Sequence, residues 1–168
     1  AGKQQKEVVV PKEVHSTVED FLQFVRPAGF LNICSIPPDG NLTGETFHMP
    51  VGVDDCVDYI HKRNSEGKNI YWTVNPTNKK INTKPNKSHI SKVEFAHADI
   101  DPEAGDYSAS REALLNSVDD IRETYKPSLI IDSGNGIQLF WRHKKPLSLA
   151  DGEAINKNLI NVFGGDKG

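Results

Sequence analysis

Apolar residues recur along this chain with two periods, and the places where one gives way to the other predict its elements. Ser16-Thr17-Val18-Glu19 forms a capping box, and Val18, Phe21, Leu22 and Val25 follow at helical spacing until Pro27 and Gly29 end the run. Residues 30–36 read as a strand halted by Pro37-Pro38-Asp39-Gly40. A second helix is expected over 54–63, with Val57 and Ile60 inward and Gly67 closing it. Aromatic and β-branched content makes 69–74 a strand. A polar, lysine-rich loop then runs from 75 to about 92, and its length points to a function. Residues 93–101 form the next strand, and 110–125 the clearest helix, with Leu114, Val118, Ile121 and Tyr125 on one stripe. After Lys126-Pro127, strands 128–132 and 137–143 flank Ser133-Gly134-Asn135-Gly136, a hairpin by spacing and turn chemistry. Ser148-Leu149-Ala150-Asp151 caps a last helix carrying Ile155, Leu159, Val162 and Phe163. Residues 1–14 are a polar tail, with at most a short edge strand at Val8, Val9 and Val10, and a single domain is expected over 15–168. The pattern predicts an α+β fold, a mixed or antiparallel sheet with helices packed on one face.

Composition narrows this picture. The 168 residues are 36% apolar and 26% charged, which suits a soluble domain able to bury a core without staples. A net charge of -3 gives no global attraction to nucleic acid, so any such binding needs a local basic patch. Cys34 and Cys56 are far apart with no CxxC pattern, so free thiols are expected, a single bridge being the alternative. No apolar run approaches the roughly 18 residues of a membrane span and no signal-peptide pattern opens the chain, so no membrane partner and a cytoplasmic location are expected. The chain opens on Ala1, closes on Gly-Gly-Asp-Lys-Gly and holds one methionine, Met49, which suggests a domain of a longer protein.

The first chemical signal is Ala98-Asp99-Ile100-Asp101-Pro102 at a strand end. Alternation puts Asp99 and Asp101 on one face and Ile100 on the other. Two neighbouring carboxylates repel, and a hard divalent cation relieves them. Mg²⁺ or Mn²⁺ suits such a pair, taking its remaining ligands from phosphate and water. The bland alternative is a solvated strand end before a turn. The second signal is the hairpin, whose glycines let backbone N–H groups come close to an anion. It is no Rossmann fingerprint and no P-loop, and the bland alternative is simply a favoured turn. In the strand after it, Gln138, Phe140 and Arg142 point one way, while Ile137, Leu139 and Trp141 form a core face. An amide, a ring and a guanidinium on one surface suit a nucleotide's phosphates and base.

The third signal is the loop carrying Lys79, Lys80, Lys84, Lys87, His89 and Lys92, with no acid from 75 to 92. Such a patch would neutralise the phosphates of a template or a triphosphate. Arg142-His143-Lys144-Lys145 is a second basic run. His97 shares the Asp99 face but reads best as a partly buried structural histidine, Asp132 as a turn acid, and Asn75 as a strand exit. Tyr71, Trp72, Phe95 and Trp141 read as core aromatics.

Taken together, a DxD strand, a long helix and a strand pair built on Ser-Gly-x-Gly-x-Gln resemble the archaeo-eukaryotic primase superfamily. The likeness spans about residues 69–168 and is nearest to the primase-polymerase domains of plasmid and phage replication proteins. It implies an RRM-like catalytic core and metal ligation by Asp99 and Asp101, with Asp166 as a third acid. It also implies triphosphate binding by Ser133, Gly134, Asn135, Gly136, Gln138 and Arg142. Gln138 stands where the motif has histidine; it can hydrogen-bond a phosphate but carries no proton or charge. The implied activity is template-directed synthesis from NTPs or dNTPs on single-stranded DNA or a primer-template, using Mg²⁺ or Mn²⁺. Lys79, Lys80, Lys84, Lys87 and Lys92 would hold nucleic acid, and a helicase domain would lie elsewhere in the full-length chain. The main alternative is a non-catalytic DNA-binding replication-initiator domain of the same fold. A nucleotide cyclase, also built on two aspartates, fits the hairpin and the lysine loop less well.

Overall fold

A computed structural model describes residues 17–164; residues 1–14, with the expected tail and edge strand, and Asp166 lie outside them. The described chain is α+β, with five α-helices and two three-stranded antiparallel sheets where the sequence pattern suggested one. It divides into two compact units. One takes in the chain up to Thr73 together with Lys79–Lys84, the other Val74–Asn78 and the chain from Pro85 onward.

In the first unit, α1 (Val18–Val25) is capped by Thr17, whose side chain accepts from the Asp20 N–H, one residue later than the Ser16 box implied. Strand β1 (Gly29–Ile36) runs through the middle of the sheet, between β2 (Thr43–Met49) and β3 (Asn69–Trp72). Helix α2 (Val53–Ser65) joins β2 to β3. Leu22, Leu31, Ile33, Phe47, Met49 and Cys56 make the core, with Val57, Ile60, Ile70 and Trp72 packed around it. Tyr71 is not a core aromatic. It lies between Ile70 and Trp72 on an edge strand, so alternation turns it outward, and it is 52% exposed. The other face of this sheet is fastened by polar contacts. The Asn32 amide donates to Thr46 Oγ1 (3.0 Å) and to the Thr83 carbonyl (3.2 Å), and Thr46 donates to the Ile81 carbonyl (2.7 Å) and accepts from its N–H (3.1 Å). At Gly44 a Cβ would lie 2.7 Å from the Thr83 carbonyl oxygen, so only glycine lets this segment settle on β2.

In the second unit the order is β4-β6-β5, from β4 (Val93–Ile100), β5 (Leu129–Asp132) and β6 (Ile137–Leu147). The expected helix over 110–125 is two helices, α3 (Tyr107–Asn116) and α4 (Val118–Tyr125). Ser117 separates them: its hydroxyl bonds the Leu114 carbonyl at 2.6 Å, the kind of local side-chain bond that competes with a helix ladder. Helix α5 (Leu149–Phe163) packs on β4, with Gly152 so close to Val93 that a Cβ would come within 2.6 Å of it. Its inward face therefore runs through Gly152, Asn156 and Phe163, while Val162 is 60% exposed. The residue 75–92 stretch is ordered by its own polar side chains. Asn75 Oδ1 accepts from the N–H groups of Glu94 and Phe95 where β4 bulges, Thr77 bridges Ile90, and Asn86 caps a single 3₁₀ turn, Lys87–His89. Both cysteines are buried and free.

Candidate active site

Register assembles the site. It sets Phe95 opposite Arg142, His97 opposite Phe140 and Asp99 opposite Gln138, so six side chains of β4 and β6 share one face as three rungs. On the first rung the Arg142 guanidinium stands 4.5 Å from the centroid of Phe95, a cation–π distance. On the second, His97 stacks on Phe140 with centroids 6.2 Å apart, and Phe140 meets Phe95 edge-on. Of the Gln138/Phe140/Arg142 surface expected from the sequence, Arg142 is exposed and Gln138 half-buried, while Phe140 is not part of an open surface. Phe140 is 2% exposed, covered by rings from the neighbouring strand. Burial pushes the His97 imidazole below its ordinary pKa, and the charge of Asp99 opposes that shift. As the sequence reading had it, His97 is largely buried: its backbone N–H donates to Asn156 Oδ1 at 3.1 Å, while its ring Nδ1 is buried with no hydrogen-bond partner among the described residues.

The third rung is the open one. Asp99 is exposed, Gln138 is half-buried beside it, and Asp101 is exposed one residue past the strand end. Gly136 closes the hairpin against this point. A Cβ there would run into the Ile100 carbonyl oxygen and stand 3.1 Å from Asp101 Oδ1. The hairpin and the DxD strand therefore touch, as the sequence pairing of the two motifs required.

Within the hairpin the polar groups serve the turn itself. Ser133 N–H and Oγ both donate to the Gly136 carbonyl at 3.0 Å, and the Gly136 N–H donates back to Ser133 Oγ at 3.1 Å. Asp132 Oδ1 accepts from the Gly134 N–H at 2.8 Å, the turn role read for it from sequence. Two residues that sequence reasoning passed over brace this turn from α3. Arg111 bonds both Asp132 oxygens at 2.8 Å, and the Tyr107 hydroxyl reaches the carbonyls of Gly134 and Asn135. Their i, i+4 spacing was the available signal. The Arg111 bond, helped by the Gly134 N–H, holds the Asp132 carboxyl below its usual range.

The lysines divide between the units. Lys79, Lys80 and Lys84 belong to the first and Lys87 and Lys92 to the second, all exposed. Lys87 is paired with Glu153 at 2.6 Å. Lys80 lines an open cleft of about 610 Å³ with Glu45, Asp55 and Asp58.

Asp99 and Asp101 fit a hard divalent cation by their chemistry: both are exposed carboxylates, and among the described residues neither has a hydrogen-bond or ion-pair partner. Among those same residues no group of three or more His, Cys, Asp or Glu is placed to hold a metal, so the pair would draw its other ligands from water or substrate. No helix of the described residues is long and apolar enough to cross a membrane. No protein-family model, no curated protein and no solved structure matches the chain.

Proposed function

We propose that the second unit is the catalytic core of a metal-dependent nucleotidyl transferase, a template-directed primase-polymerase with an RRM-like arrangement. The observation that carries the reading is the open rung: two unpartnered carboxylates beside Gln138, with a braced hairpin seated against them. Asp99 and Asp101 would hold Mg²⁺ or Mn²⁺, which when bound neutralises triphosphate charge and lowers the pKa of an attacking hydroxyl. Gln138 would donate its amide to a phosphate oxygen. Arg142, already oriented by Phe95, would supply positive charge farther along the same face. With its N–H groups largely engaged in the turn, the hairpin acts by shape, fixing where the end of β6 begins.

That same engagement favours a second reading, a DNA-binding initiator domain without catalysis, since the turn offers a phosphate few free donors. Primer extension decides between them. The wild type should extend a primer with Mg²⁺ or Mn²⁺ and nucleoside triphosphates, and Asp99→Ala/Asp101→Ala should not. A wild type that neither extends a primer nor makes dinucleotides, yet binds single strands in a salt-dependent way, would leave the initiator reading standing.

A further inference from the structure

We infer that the exposed Tyr71 edge of the first sheet binds single-stranded nucleic acid, with Tyr71 stacking on a base and Lys84 meeting a nearby phosphate. The inference rests on the nucleic-acid half of the proposed function and not on catalysis. Register gives the geometry. Gly44, Cys34 and Tyr71 stand opposite one another across β2, β1 and β3, so they occupy one row on one face. Thr83 lies over the Gly44 end of that row and is pinned by the Asn32 amide. The next residue, Lys84, is exposed, and its charge acts at Cys34 in the same row, against the larger effect of burial on the thiol. Tyr71 closes the row at the open edge strand, half its surface in solvent.

The chemistry of this face is one-sided. None of the strand positions that share it is acidic on any of the three strands, and the segment from 75 to 92 that supplies Lys79, Lys80 and Lys84 has no acid either. Glu45, Asp55 and Asp58 line a separate cleft with Lys80, and the Lys68–Glu66 pair at 2.8 Å lies beyond the strand positions of this row. An exposed ring at one end of a row whose other end is covered by Thr83, with exposed Lys84 next in sequence, matches the alternation of base and phosphate in a single strand. Duplex DNA, its bases stacked and paired, offers the ring no free face. The fastening of residues 81–83 by buried Asn32 and Thr46 means Lys84 starts from an ordered backbone.

Fluorescence anisotropy with labelled oligothymidylate and oligouridylate, without metal or nucleotide, tests the platform on the whole protein. Tyr71→Ala should weaken binding of one or both strands on the order of tenfold, and Tyr71→Phe should bind as the wild type, since stacking needs the ring and not the hydroxyl. Lys84→Ala should reduce the slope of log affinity against log salt by about 0.7. Asp99→Ala/Asp101→Ala should bind undiminished, which separates failure of the platform from failure of the catalytic reading. Tyr71→Ala binding like the wild type would overturn the inference. Equal loss in Tyr71→Phe, or equal Tyr71-dependence with a blunt duplex, would do the same. Circular dichroism should show each variant folded, as an exposed edge position predicts.

Discussion

The two units build the same three-stranded antiparallel sheet and use polar residues in opposite ways. The first buries them: Asn32, Ser35 and Thr46 are nearly inaccessible, and each is satisfied by a neighbour. The second brings Asp99 and Asp101 to a strand end and leaves them exposed, without partners among the described residues. A buried and satisfied polar group fixes a backbone, because losing its partner exposes the full desolvation penalty. An exposed pair of carboxylates is solvated by water and contributes little to folding, so it is free to serve the proposed metal site. The first sheet thus uses its polar groups to hold a segment of its own chain, and the second keeps this pair outside its fold.

The largest effect that would sharpen this contrast is at the open rung. Asp99→Ala/Asp101→Ala should lower primer extension by on the order of 10²-fold or more, the scale of losing an electrostatic stabiliser. Its thermal midpoint should be unchanged or raised, as two repelling charges are removed. If the midpoint falls instead, the pair belongs to the fold. Next come the fastenings of the first sheet. Asn32→Leu should cost about 1–3 kcal/mol in urea unfolding by stranding the Thr83 carbonyl. Gly136→Ala should cost a similar amount, about 1–3 kcal/mol, by forcing the hairpin off Ile100, and unlike Asn32→Leu it should also lower extension per folded molecule.

Smaller still is the brace on the hairpin. Arg111→Ala should cost less than about 1 kcal/mol, because the Asp132 side chain is 52% exposed and its ion pair is screened. Asp132 has a lowered carboxyl pKa, so its share of stability is present above the unfolded value of about 3.9 and lost as pH falls through the folded value. The difference between wild type and Arg111→Ala should therefore be full at neutral pH and close below about pH 4. The least effect is expected at the thiols. Burial pushes Cys56 up to about 12, with Glu45 adding to it, and also raises Cys34, so neither should react with iodoacetamide in the native protein at pH 8.

Elements whose buried face is apolar were legible in the sequence. Val18, Phe21, Leu22 and Val25 announced α1, and period-two spacing showed which residues of β4 and of β6 share a face, though not that Asp99 stands opposite Gln138. Strand β2 gave no such signal. Its buried positions include Gly44 and Thr46, which face backbone rather than a hydrophobic core, so a binary apolar pattern passes over them. Tyr71 was misplaced for the converse reason: an aromatic in a strand scores as core until its neighbours show which way the strand faces. The Ser117 break is a local bond that an apolar pattern does not register, and the Arg111–Asp132 brace depends on where α3 lies, with only the i, i+4 spacing of Tyr107 and Arg111 to hint at it. At the site, the acids and the hairpin were readable, and the burial of Phe140 was not.

The chain's path between the units has a practical consequence. It leaves the first unit at Thr73, returns for Lys79–Lys84 and leaves again at Pro85. Any truncation that ends at the first exit removes Ile81 and Thr83 and strands the Asn32 amide and the Thr46 hydroxyl inside the sheet. One that begins at the last exit deprives β4 of Asn75 at its bulge. No single cut divides the chain with both units whole, and pieces that keep both sets of contacts must overlap, one running through Lys84 and the other starting at Val74.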